Sequence, residues 1–158
     1  MTEKYLNIME ESLEKKLQIL EGIQGYNLRQ QEILQAQEVE LEQFDECVDR
    51  KGELIEELTA LDSGFEALYE NLSKELQDGR EKYAEHIRRL QELVSEVMDR
   101  SVTIQAQEAR NKKLVEDYFR RERKQLGQTR KNSQAAFDYY KNMSQSNLLP
   151  PQFMDSKQ

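Results

Sequence analysis

Apolar side chains recur along most of this chain at alternating steps of three and four, the spacing that places them on one stripe of a helix. Leu6, Met9, Leu13, Leu17, Leu20 and Ile23 form a first stripe, which Leu34, Leu41, Phe44, Val48 and Ile55 carry on. Leu54, Leu58, Leu61, Phe65, Leu68, Leu72 and Leu76 form a second, and Tyr83, Ile87, Leu90, Val94, Val97 and Ile104 a third. Each stripe needs a partner, because an isolated helix gains too little from propensity to offset the entropy lost on ordering it.

The clearest turn is Asp78-Gly79, since glycine is the usual residue past a helix end. A second break is read at residues 49–52, closing on Gly52. Ser63 and Glu66 have capping-box spacing, but Leu61, Phe65 and Leu68 keep phase across Gly64, so that glycine is read as tolerated inside a helix. Gly22 and Gly25 are read as a weak point in the first helix. The spacing thus predicts helices over residues 3–46, 52–77 and 80–126, with short connections that make neighbours antiparallel. The expected fold is all-α: an elongated antiparallel helical hairpin or bundle of about three long helices plus a short C-terminal helix. Residues 1–131 are assigned to the bundle. Residues 132–158 are assigned to a short amphipathic helix carrying Ala136, Phe137, Tyr140 and Met143, and to a tail that Pro150-Pro151 keeps extended.

Composition supports this reading. Only 37% of residues are hydrophobic and 34% are charged, Trp is absent, and both prolines lie near the end, so almost nothing breaks a helix. The single cysteine, Cys47, excludes an internal disulfide and fits a reducing compartment. No apolar run approaches the ~20 residues that span a bilayer, and the N-terminus lacks the basic start and apolar centre of a signal peptide. The expectation is a cytoplasmic protein with no membrane insertion.

Charge is unevenly spread. Residues 1–79 hold 20 acidic and 7 basic side chains, net −13, whereas residues 80–158 hold 11 acidic and 16 basic, net +5. Opposite signs favour folding the third helix back along the first two. Acid-before-base pairs four residues apart, such as Glu85 with Arg89, Glu96 with Arg100 and Glu108 with Lys112, match part of the positive charge locally. The stretch YFRRERKQLGQTRK, residues 118–131, suggests a nucleic-acid surface. Its helical projection argues otherwise, because Val115, Phe119 and Leu126 fall within about 100° of Tyr118 whereas Arg120 and Lys124 point away. Base-stacking binders need aromatics and cations on one surface, so no nucleic acid is expected.

Catalytic chemistry is missing. His86 is the only histidine and Cys47 the only thiol, so one chain cannot assemble a zinc site of histidines and cysteines. No Gly-rich phosphate loop, dinucleotide fingerprint or EF-hand spacing is present. No enzyme, cofactor or metal is expected. The third stripe carries the stronger signal. Beyond Val97 it continues through Ser101, Ile104, Glu108, Asn111, Val115, Tyr118 and Glu122, alternating polar with apolar where a core would be continuous. Burying these polar groups unpaired costs about 1–3 kcal/mol each, so either partner side chains satisfy them or that end of the bundle is open. An open end would offer Leu114, Val115, Tyr118, Phe119 and Leu126, with Phe137, Tyr140 and Met143 from the tail, as a groove for an amphipathic helix of another protein. Equally, the tail itself could fill that groove.

The segments RKGELIEELTALDSGFEALYENL, IRRLQELV, IQAQEARNKKLVEDYFRRERK and AAFDYYKNM, with the closing PPQFMDSKQ, resemble flagellar export chaperones of the FlgN type and the related FliT type. The likeness runs over roughly residues 34–158 and rests on the order Lys-x-x-Leu-Ile, Glu-x-x-Asn-Lys and Tyr-Tyr-Lys-x-Met. It implies a small acidic cytoplasmic protein without enzymatic activity. Such chaperones bind the helical C-terminal segment of hook-associated or filament-cap proteins, keep them from assembling early and deliver them to components of the type III export apparatus. In them the C-terminal part tends to carry substrate binding. The alternative from the residues alone is a generic coiled-coil scaffold or adaptor with no export role.

Overall fold

The computed structural model describes residues 2–76, 79–125 and 138–139. Three long helices follow one another: α1 (Thr2–Gln35), α2 (Leu41–Glu75) and α3 (Ala84–Gln125), with a 3₁₀ turn over Arg80–Tyr83 leading into α3. α2 returns along α1, and α3 turns back again, so that Glu14 meets Arg89 and Asn27 meets Asn111 at successive levels of two parallel helices. The fold is all-α, as the spacing predicts, and α2 passes through Gly64 without interruption.

The first turn is not where the spacing puts it. α1 ends at Gln35, not near residue 46, and the chain reverses over residues 36–40; the break read at residues 49–52 is helix interior. The seven-residue step from Leu34 to Leu41 keeps the phase of a continuous helix, so a reversal and a continuation leave the same pattern. What ends α1 is tertiary. Val39 packs into the cluster that holds Ile33, Leu34 and Phe44. With Glu40 in extended conformation as the N-cap, Val39 and Phe44 occupy the positions of a hydrophobic staple. The Phe44 N–H donates to the Glu40 carbonyl at 3.2 Å, and no side chain caps the helix. At the second turn Gly79 lies where expected, but its φ of −141° is open to any residue, so the position does not require glycine.

α1 packs closely along both other helices, whereas among the described residues the backbones of α2 and α3 scarcely come within 8 Å of each other. Gly22 is one reason α1 and α2 sit so close: a Cβ there would stand 3.0 Å from Leu54 Cδ1. The main core joins Leu6, Met9, Leu13, Leu20 and Ile23 of α1 to Leu58, Phe65 and Leu72 of α2 and to Leu90, Val94, Val97 and Ile104 of α3. A second cluster holds Ile33, Leu34, Phe44, Cys47, Val115 and Phe119 at the other end. Full burial of each such Leu, Ile or Phe contributes about 1.5–3 kcal/mol relative to exposure. The opposite charges of the two halves do meet across helices. Arg89 reaches Glu14 at 3.9 Å and Arg100 reaches Glu21 at 2.9 Å, and neither turns to the acid four residues before it, Glu85 or Glu96.

Candidate functional site

Between the two apolar clusters lies a layer of buried polar side chains drawn from all three helices. Lys51 of α2 is fully buried; its Nζ lies 2.6 Å from Glu108 Oε1 of α3 and donates to Gln30 Oε1 of α1 at 3.1 Å. Asn27 Nδ2 donates to Gln107 Oε1 at 3.2 Å, and Asn111 Nδ2 donates to the Asn27 carbonyl at 2.8 Å. Ser101 Oγ donates to the Val97 carbonyl of its own helix at 2.8 Å. The interrupted stripe of α3 is therefore partnered within the chain, though not completely: Ser101 and Asn111 donate as above and Glu108 pairs with Lys51, not with Lys112, while Asn111 Oδ1 and Glu108 Oε2 are buried without a hydrogen-bond partner among the described residues. Burial pushes the Lys51 ammonium below its ordinary pKa, with the Glu108 charge pulling it back up.

Tyr139 closes this layer from the C-terminal segment. The Lys51 ammonium sits 5.2 Å from the centroid of its ring, and the ring packs on both apolar clusters. Burial raises the hydroxyl pKa well above the usual tyrosine range, and the Glu108 charge adds to the rise. Neither Lys51 nor Tyr139 figures among the candidate residues read from sequence. Three segments far apart in the chain, Lys-x-x-Leu-Ile at Lys51, Glu-x-x-Asn-Lys at Glu108 and Asn111, and Tyr-Tyr-Lys-x-Met at Tyr139, thus meet in one contact set.

The predicted partner-binding residues separate into groups. Val115 and Phe119 are 1% and 2% exposed and belong to the second core cluster. Leu114 and Tyr118 are half-buried at its edge, with the Tyr118 ring edge-on to Phe119 at 5.1 Å between centroids. Leu126, Phe137, Tyr140 and Met143 lie outside the described residues, as does the short helix expected around them apart from residues 138–139, which are helical. Arg120, Arg121, Arg123 and Lys124 are exposed, with Arg121 and Lys124 on the side of α3 away from Phe119. Over its described part this end of the bundle has a closed interior, and the surface it offers is limited to the edges of Leu114 and Tyr118.

The open space is at the opposite end. A half-open cleft of about 740 Å³ lies where the start of α1, the end of α2 and the start of α3 converge. Leu6, Met9, Leu72 and Leu90 form its floor, Leu76 and Ile87 its apolar walls, and Lys74, Arg80 and Arg88 its rim. On the helical stripe of Ile87 and Gln91, beyond buried Val94, follow Met98 and Val102, about 22 Å from Ile87 at the far end at 1.5 Å per residue. Met98 and Val102 are 37% and 60% exposed, two of the three large hydrophobic residues left open to solvent among the described residues. Among the described residues, few backbone positions of α2 approach α3 within 8 Å, although side chains of the two helices meet in the core and at Lys51 and Glu108.

Among the described residues no group of three or more His, Cys, Asp or Glu is arranged to hold a metal ion, and no helix is long and apolar enough to cross a membrane. His86 lies 3.7 Å from Glu10 on the outer seam of α1 and α3, and Cys47 is buried, its thiol pKa raised chiefly by that burial. No family model, curated protein or solved structure matches the chain.

Proposed function

We propose that the chain is a non-enzymatic chaperone of the flagellar type III export kind. It holds the helical C-terminal segment of a hook-associated or filament-cap protein, keeps that segment from assembling early and hands it to the export apparatus in the cytoplasm. The observation that carries this reading is the meeting of Lys51, Glu108, Asn111 and Tyr139 in one buried layer. These residues stand in the three separate motifs on which the family resemblance rests.

The surface best suited to a partner helix is the cleft with its continuation over Met98 and Val102, where a guest could seat anchors at i, i+3, i+4 and i+7. This moves the docking place from the second half of α3 to the first half, because Val115 and Phe119 serve the chain's own core. The scaffold alternative requires self-association through the long stripes, which in α1, α2 and α3 are turned on one another, so the cleft with Met98 and Val102 is the apolar surface left for either reading. Titration calorimetry with the isolated C-terminal helical segments of hook-associated and filament-cap proteins tests the proposal. The expected result is 1:1 binding with a Kd of about 1 μM or tighter. Absence of heat with every such segment, together with self-association of the chain alone, would favour the scaffold.

A further inference from the structure

The described charged residues that line the cleft are of one sign, although the chain as a whole carries −8. Among the described residues its lining contains Lys74, Arg80 and Arg88 and no Asp or Glu, and none of the three cations is in an ion pair with a described residue. The neighbouring surface differs: Glu3, Glu10, Glu81 and Glu85 share a shallow depression with Lys82 and Arg89, so both signs are present there. Cations left unpaired around an apolar floor, in a protein with 31 acidic side chains, form an electrostatic complement waiting for carboxylates.

Resting on the reading that the cleft holds a helix, we infer that its occupant is an acidic amphipathic helix, with side-chain carboxylates flanking its apolar stripe at the end seated by the α2–α3 turn. Lys74, Arg80 and Arg88 come from the end of α2, the 3₁₀ turn and the second turn of α3. They therefore surround the end of the cleft from several sides, which suits several carboxylates spaced along a helix and not one terminal carboxylate. The chain's own C-terminal segment is a poor match for this rim, since residues 126–158 carry four basic side chains, Arg130, Lys131, Lys141 and Lys157, against Asp138 and Asp155. Long-range attraction of this kind chiefly speeds encounter and sets orientation, while the apolar floor supplies affinity.

The test uses the full chain and two blocked helical peptides of about 18 residues, about 27 Å long, with the same leucine stripe. One carries Glu beside the stripe over its first two turns and the other carries Gln at those positions. The Glu peptide is expected to bind about tenfold more tightly at low salt, with the advantage shrinking as ionic strength rises through the physiological range. The triple variant Lys74→Gln, Arg80→Gln, Arg88→Gln should remove the difference between peptides while still binding both. The salt series on the unaltered protein gives the same discrimination without relying on the variant's folding. Equal binding of the two peptides at all salt concentrations would overturn the acidic occupant and leave the helix-binding cleft standing, whereas binding of neither would remove the cleft reading itself. Self-association of the protein alone, abolished by the triple variant, would replace the foreign helix with a second copy of this chain.

Discussion

Removing Glu108 while leaving Lys51 in place asks the bundle to hold a buried ammonium without its counter-ion. The Lys51 side chain has no exposure, that of Glu108 only 10%, and the two charged atoms are 2.6 Å apart, so solvent screens the pair little. Breaking such a pair on one side costs about 3–5 kcal/mol. Gln30 Oε1 at 3.1 Å and the Tyr139 ring at 5.2 Å stay with the ammonium, which argues for the lower part of that range, about 3 kcal/mol for Glu108→Leu. The double variant Lys51→Met, Glu108→Leu removes both charges and keeps comparable volume. It should lie within about 1 kcal/mol of the parent, on either side. The pH dependence has a defined direction. The folded pKa of Lys51 lies below its ordinary 10.5, so the unfolded chain binds that proton more tightly and the Lys51 contribution to stability rises with pH up to about 10.5. The Cys47 thiol, raised above its ordinary 9.0, contributes in the opposite sense as the unfolded thiol ionises, a part that a Cys47→Ala background removes. Without Glu108 the folded value of Lys51 drops further, and the rising region extends to lower pH. Tyr139 acts in the opposite sense only above about pH 10, where the unfolded tyrosine begins to ionise and the folded one does not. Urea unfolding followed by far-UV circular dichroism, from about pH 7 to about pH 9.5, measures the stability losses and the Lys51 part of the pH dependence, below the range in which Tyr139 enters. A loss under about 1 kcal/mol for Glu108→Leu, or a double variant as unstable as the sum of the singles, would refute a desolvated pair.

Other substitutions separate core from surface. Phe119→Ala should cost about 3–5 kcal/mol of stability because the ring is 2% exposed, whereas half-buried Tyr118→Ala should cost about 1–2 kcal/mol, both read from denaturant midpoints. Gly25→Ala, with open space around the new methyl, should stabilise by about 0.5–1 kcal/mol. Gly22→Ala should gain less or lose, because Leu54 Cδ1 would have to give way; thermal midpoints of the two variants decide. The Cys47 thiol, buried and raised in pKa, should resist alkylation in the native state and react promptly once urea unfolds the chain; fast native-state labelling would contradict its burial.

The fold class could be read from spacing because helical periodicity is a local property that packing reinforces, and the run through Gly64 kept its phase. The reversal at residues 36–40 was hidden because Leu34 and Leu41 are in phase, and its one local trace is the Val39 and Phe44 pairing around Glu40. The polar layer was half legible. Ser101, Glu108 and Asn111 stand out on the stripe of α3, and by the same arithmetic Asn27 and Gln30 follow Ile23 on α1 while Lys51 follows Phe44 and Cys47 on α2. What periodicity lacks is the level at which these positions meet, which depends on where the turns fall. Tyr139 could not be chosen over Tyr140 from spacing, because contact with Lys51 and Glu108 spans more than thirty residues of α3 and the segment beyond it. The cleft was invisible for a related reason: the separation of α2 from α3 is a property of three helices together.

The most direct measurement is a methyl NMR titration of the full chain with the C-terminal helical segment of a hook-associated or filament-cap protein. Occupation of the cleft should move the methyl signals of Ile87, Met98 and Val102 and leave those of Ile33 and Val115 in place. Movement confined to Leu114 and Val115, or no movement at saturating peptide, would contradict a partner helix held between α2 and α3.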